Sequence, residues 1–124
     1  LDVLVKVDVG FHRCGIDPGA ASAVDFVIGV GALRGLRLRG LLSHAGHGYG
    51  AASGDEIERI ARDEAATLAR LADRVHARGA AVEEISVGST PTARHSLSQR
   101  HRQNVQIDRS PAPSACGLQQ RRVP

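Results

Sequence analysis

Two short aliphatic runs, RLRGLLS at 37–43 and VEEISV at 82–87, are separated by one long amphipathic segment. Ser53 with Glu56 three residues on is a capping box, and Ile57, Ile60, Ala61, Ala65, Leu68, Leu71, Ala72 and Val75 follow at helical spacing before Gly79 closes the run. The spacing predicts a helix over 54–78. A helix of that length joins parallel neighbours, so the two runs are expected as adjacent parallel strands. The same unit is repeated upstream. LDVLVKVDVG alternates, with Leu1, Val3, Val5, Val7 and Val9 on one face and Asp2, Leu4, Lys6, Asp8 and Gly10 on the other. Asp17 and Pro18 then make a helix start ahead of the apolar stretch to Leu33. The predicted order is a strand at 2–9, a helix at 18–33, a strand at 37–43, a helix at 54–78 and a strand at 82–87, which is a parallel α/β arrangement.

In such an arrangement ligands collect beyond the carboxyl ends of the strands. Those ends carry Gly10 to Gly15, Ser43 to Tyr49 and Gly88 to Thr92, the three stretches richest in polar and glycine residues. After Thr92 the periodicity stops. Residues 93–124 hold few aliphatics and many Arg, Gln, Ser and Pro, so the chain divides into an ordered part, 1–92, and a tail expected to be disordered or non-native. The net charge of +3 follows the same division. Residues 1–92 contain ten Lys and Arg against twelve Asp and Glu, whereas 93–124 contain six Arg against Asp108 alone. A basic footprint across the ordered part is therefore missing, and nucleic acid is not an expected partner. No apolar run reaches membrane-spanning length and no export signal is visible, so a cytoplasmic location is expected. Two cysteines, Cys14 and Cys116, in segments of different character do not suggest a disulfide framework. The chain starts on Leu1 and contains no methionine, which fits a fragment.

Four uses of HAGHGY at 44–49 are open on residue chemistry alone: a metal, a proton relay, a flat aromatic cofactor, or plain loop chemistry. Zinc is poorly supported, since neither an HExxH pattern nor a nearby cysteine pair accompanies His44 and His47. Gly88-Ser89-Thr90 is either an ordinary turn or a set of amides and hydroxyls suited to a phosphate monoester. Arg13 is either a solvated charge or a group aimed into the rim.

The segments VKVDVGFHRCGI, GLLSHAGHGY and ISVGSTPT resemble successive strand ends of the fold-type III pyridoxal-phosphate enzymes, the alanine-racemase-like barrels. HAGHGY together with VGSTPT is similar to the D-threonine aldolase and D-serine dehydratase branch in particular. The resemblance covers about Leu1 to Ser96 and implies part of a (β/α)8 TIM-type barrel, with about three strands and two helices present. It implies that the histidine at 44 stacks on the pyridine ring of pyridoxal 5'-phosphate and that Arg13 lies beside the cofactor's phenolic oxygen. Gly88, Ser89 and Thr90 match the phosphate-binding turn, and Tyr49 is implied on the phosphate or substrate side. His47 has no implied role. Lys6, the only lysine, either matches the lysine that in some alanine racemases is carbamylated and pairs with the arginine or is an interior-facing structural lysine near Asp8; the Schiff-base lysine of the family belongs to an earlier strand. The implied parent activity is a lyase acting on small D-β-hydroxy amino acids, by retro-aldol cleavage or loss of water, with a divalent metal held by a C-terminal β-domain. An amino-acid racemase and a non-catalytic pyridoxal-phosphate carrier share the same barrel and stand as alternatives. A homodimer is expected for the full-length parent, and the chain alone is expected to be inactive.

Overall fold

A computed structural model of the chain describes residues 1–96 and 105–107. Strand β1 (Asp2–Val7) is followed by helix α1 (Ala23–Ala32), strand β2 (Arg37–Ser43), a 3-10 turn (Gly46–Gly50), helix α2 (Gly54–Ala77), strand β3 (Glu84–Val87), helix α3 (Thr90–Ser96) and strand β4 (Val105–Ile107). The described strands form one sheet in the order β1-β2-β3-β4, and each neighbouring pair is parallel. The parallel α/β order expected from the long crossover helix is therefore the one observed.

Helices α1 and α2 cover one face of the sheet. Val5 and Val7 of β1, Leu41 of β2, and Ile85 and Val87 of β3 point into a core completed by Val24 and Val27 of α1 and Leu68, Leu71 and Val75 of α2. Leu68 and Leu71 are fully buried, each contributing about 2 kcal/mol from removed apolar surface. The opposite face carries Lys6, Leu42 and Ser86 side by side, in register across three strands. A shift of register between Val3 and Leu4 leaves Arg39 as the extra residue of β2. Its guanidinium reaches Asp2 at 3.1 Å, Glu83 at 2.9 Å and Glu84 at 3.9 Å, tying the amino ends of three strands together. At Gly40, beside it, a Cβ would fall 1.8 Å from the Glu84 carbonyl oxygen, so only glycine lets β2 and β3 approach this closely.

The capping box forms as the sequence indicates. Ser53 Oγ accepts from the Glu56 amide at 3.2 Å, and Glu56 reaches back to the Ala52 amide at 2.8 Å. Three boundaries differ from expectation, among them the start of β3, which falls at Glu84 rather than 82. Helix α1 begins at Ala23 rather than 18, because the Asp17 carboxylate accepts from the Gly19 amide at 2.8 Å and closes a turn instead of capping a helix. Strand β1 ends at Val7 rather than 9, where the Asp8 carboxylate takes over the amides of the following loop. Two elements also fall beyond Thr92 or across it. Helix α3 runs from Thr90 to Ser96, and Val105–Ile107 adds to the sheet beside β3, so these parts of the segment read as irregular carry regular backbone. The rest of the tail lies outside the described residues.

Candidate active site

The carboxyl ends of β1, β2 and β3 lie side by side and enclose an open concavity of about 260 Å³. Its wall includes Lys6, Arg13, His44, Ser86 and Gly88. Two of these five are cationic and none is acidic, which suits an anionic ligand. Lys6 stands on the sheet face away from the helices, opposite Leu42, and so lies deeper than the loops that carry Arg13 and His44.

Arg13 belongs to a loop closed at both ends on β1. The Asp8 amide donates to the Ile16 carbonyl and the Ile16 amide to the Lys6 carbonyl, each at 2.9 Å. Inside the loop, the Asp8 carboxylate accepts from the Gly10 amide at 2.9 Å, the His12 amide at 3.0 Å and His12 Nδ1 at 2.9 Å. The Gly10 amide above all, then the His12 amide, holds the Asp8 carboxyl below the usual aspartate range. His12 takes a positive φ of 54°, a conformation such a side chain adopts rarely and here one the Asp8 bonds enforce. The Arg13 guanidinium carbon lies 5.7 Å from the centre of the Phe11 ring, a cation–π contact that orients the side chain.

His44 follows β2, and its Nδ1 is 3.0 Å from the Gly88 carbonyl oxygen. A carbonyl only accepts, so Nδ1 carries the proton and Nε2 is left for other partners. This bond joins the ends of β2 and β3. Gly88 itself has a φ of +154° with open space where a Cβ would project. Arg13, His44 and Gly88 are therefore brought together.

The remaining expected site residues are placed differently. Ser89 is buried, and its hydroxyl lies 2.9 Å from Thr92 Oγ1, while its amide donates to the same oxygen at 3.1 Å. Its side chain secures the start of α3 instead of opening into the concavity. Thr90 is exposed. Tyr49 is 62% exposed, with its ring centre 6.4 Å from that of His44, beside the rim and not in the wall. His47 packs against Gly10, and its Nδ1 is buried without a hydrogen-bond partner. Among the described residues no three His, Cys, Asp or Glu side chains converge as a metal site.

One residue that sequence reasoning missed lies behind this rim. Glu64, on the buried stripe of α2, is 1% exposed, and its Oε1 accepts from Ser43 Oγ at 2.6 Å. Burial pushes its carboxyl up, and the Ser43 hydroxyl, the Gly88 and Ala45 amides and His44 act in the opposite sense. The signal was an acid among Ala61, Ala65 and Leu68 on an otherwise apolar face.

Residues 1–107 match the family model described as alanine racemase, N-terminal domain. The chain belongs to this family. Within the alanine racemase N-terminal domain family its relatives include the D-serine dehydratase of Dictyostelium discoideum, 31% identical over 96 residues, covering 75% of this chain and 24% of that protein. The D-threo-3-hydroxyaspartate dehydratase of Delftia sp. strain HT23 is 32% identical over 95 residues, covering 74% of this chain and 24% of the relative. Among solved structures, the D-threonine aldolase of Filomicrobium marinum superposes with a TM-score of 0.74 at 26% identity, over 86% of this chain and 29% of that one. The chain thus spans about a quarter of the length of the curated relatives it matches.

Proposed function

We propose that this chain forms part of the cofactor-binding barrel of a pyridoxal-phosphate-dependent lyase whose substrates are small D-β-hydroxy amino acids. The observation that carries the reading is the convergence of Arg13, His44 and Gly88, from three strand ends, on one concavity without an acidic lining residue. The donor set fits the cofactor: two cations for an anionic ligand, an imidazole for a flat ring, and a glycine turn free of side-chain obstruction for a phosphate. Ser89 fits less well through its hydroxyl, which Thr92 already engages, and its part is to shape the turn.

Pyridoxal 5'-phosphate supplies an electron sink for bond breaking next to the substrate's α-carbon. The protein's share is orientation and charge. Arg13, fixed by Phe11 and by a loop hydrogen-bonded to β1, holds a permanent positive charge at the rim. His44, with Nδ1–H given to the Gly88 carbonyl, presents a ring of set orientation and a single tautomer. Lys6 lines the same small cavity as Arg13 and adds positive charge there, and its place on β1 corresponds to a strand other than the one that carries the family's cofactor-bonding lysine. A divalent metal, as the family resemblance implies, would polarise the substrate hydroxyl as a Lewis acid.

The two dehydratase relatives favour loss of water over retro-aldol cleavage, and the family model's description favours racemisation as the second reading. The test is to express the longest open reading frame containing this segment and supply D-serine, D-threonine and D-threo-3-hydroxyaspartate with pyridoxal phosphate. Release of ammonia and a keto acid is the expected result, and it should stop on chelation. Aldehyde release would shift the reading to an aldolase. Racemisation alone would overturn it.

A further inference from the structure

Glu64 is the single charged member of the buried stripe of α2, which otherwise consists of Ile60, Ala61, Leu68, Leu71, Ala72 and Val75. Packing does not call for an acid there. An apolar side chain of similar volume would fill the space without the cost of removing a carboxyl group from water. What the acid reaches is specific. Oε1 takes the hydroxyl of Ser43, the residue before His44, at 2.6 Å. The amides of Ala45, the residue after His44, and of Gly88 also approach the carboxyl, whose Oε2 is buried and lacks a hydrogen bond of good geometry. His44 in turn bonds the Gly88 carbonyl at 3.0 Å. One side chain thus borders both neighbours of the imidazole and the first residue of the glycine turn, from the helix side of the sheet, while the concavity lies on the other side.

We propose that Glu64 is a positioning residue of this site: from behind β2 and β3 it fixes the His44 ring against the Gly88 carbonyl, and with it the Nδ1–H tautomer. The inference rests on the assignment of the rim to pyridoxal phosphate, which His44 and Gly88 would contact directly while Glu64 would not. A hydroxyl bonded to a buried carboxyl and amides facing it form a clamp whose geometry tolerates little change, because each unpaired buried group is costly.

The test uses the 124-residue chain and the near-isosteric Glu64→Gln variant. The new amide keeps an oxygen for Ser43 but turns an NH2 donor toward the Ala45 and Gly88 amides, which are donors themselves. Nitrogen-15 NMR of the ligand-free chain should show the His44 Nδ1–H signal in the wild type and its loss or exchange broadening in the variant. Exchange of the Ala45 and Gly88 amides should quicken about tenfold, the Leu68 and Leu71 amides should stay protected, and the dissociation constant for pyridoxal 5'-phosphate should rise about tenfold. A merely structural glutamate would leave the His44 tautomer untouched, so an unchanged His44 spectrum overturns the proposal. If Glu64→Gln fails to fold, Ser43→Ala is read the same way, with a smaller change in the same direction expected and no change refuting it. A wild type that shows the His44 signature and loses it in Glu64→Gln, yet does not bind pyridoxal phosphate, overturns the cofactor assignment and leaves the clamp standing.

Discussion

Gly15→Ala should damage the Arg13 loop far more than an alanine at another glycine of positive φ. Gly15 has a φ of +112°, and a Cβ there would fall 2.7 Å from both the Asp8 nitrogen and the Val7 carbonyl carbon. These are backbone atoms of β1 and its exit, and no rotamer change can move them. Gly79, at the end of α2, has a φ of +82° with nothing within 4 Å of an added Cβ, so Gly79→Ala measures the dihedral cost by itself, about 1 kcal/mol. Gly15→Ala adds to a dihedral cost of about 1–3 kcal/mol an overpacking cost of about 1–3 kcal/mol. The difference between the two variants should therefore be about 1–5 kcal/mol, which at a urea slope of about 1–2 kcal/mol/M lowers the unfolding midpoint by at least about 0.5 M relative to Gly79→Ala. Urea titration followed by circular dichroism measures it. Should the strain be relieved by local opening of residues 8–16, the midpoint falls less, and a weakened affinity for pyridoxal phosphate records the displacement of Arg13. Equal midpoints and equal affinities for the two variants would refute the reasoning.

Ser53→Ala removes the acceptor for the Glu56 amide and should lower stability by about 1 kcal/mol in the same urea assay. The bonds from the Gly10 and His12 amides lower the Asp8 carboxyl, so their contribution is present above the unfolded aspartate value of about 3.9 and is lost as pH falls through the lower folded value. Protection of the Gly10 and His12 amides, measured by hydrogen exchange down to acid pH, should follow that decline, and Asp8→Asn should abolish the pH dependence. Mixed with pyridoxal phosphate at neutral pH, the chain should develop no strong absorption band that Lys6→Ala removes; such a band would make Lys6 the residue that bonds the cofactor.

Elements defined by short-range patterns are legible in the sequence. Strand β2 has the expected bounds, and α2 lies within a residue of them at each end, because a capping box, an unbroken apolar stripe and a closing glycine are all local. Helix α1 was misjudged at its start since Asp-Pro followed by glycine suits a turn as well as a helix cap, and only the surroundings decide which amide the carboxylate receives. The three residues of β4 had no signal of their own; β3 supplies their partner. In the site, Arg13, His44 and Gly88 could be placed on one rim because each follows a parallel strand. The inward turn of Ser89 could not, as a hydroxyl at a strand end serves a ligand or a helix start equally well, and here Thr92 takes it. Glu64 was visible as a pattern violation, though its partners across the sheet were not.

The central claim, that the three strand ends form one pyridoxal-phosphate site, is tested most directly by titrating the isotope-labelled chain with pyridoxal 5'-phosphate and mapping which resonances move, with inorganic phosphate as a second ligand. The cofactor should shift the Arg13 side chain, the His44 ring and the Gly88 amide together, and phosphate alone should shift the Gly88 amide with little effect on Arg13 or the imidazole. Shifts confined to other surfaces, or none at these three residues in a folded chain, would contradict it.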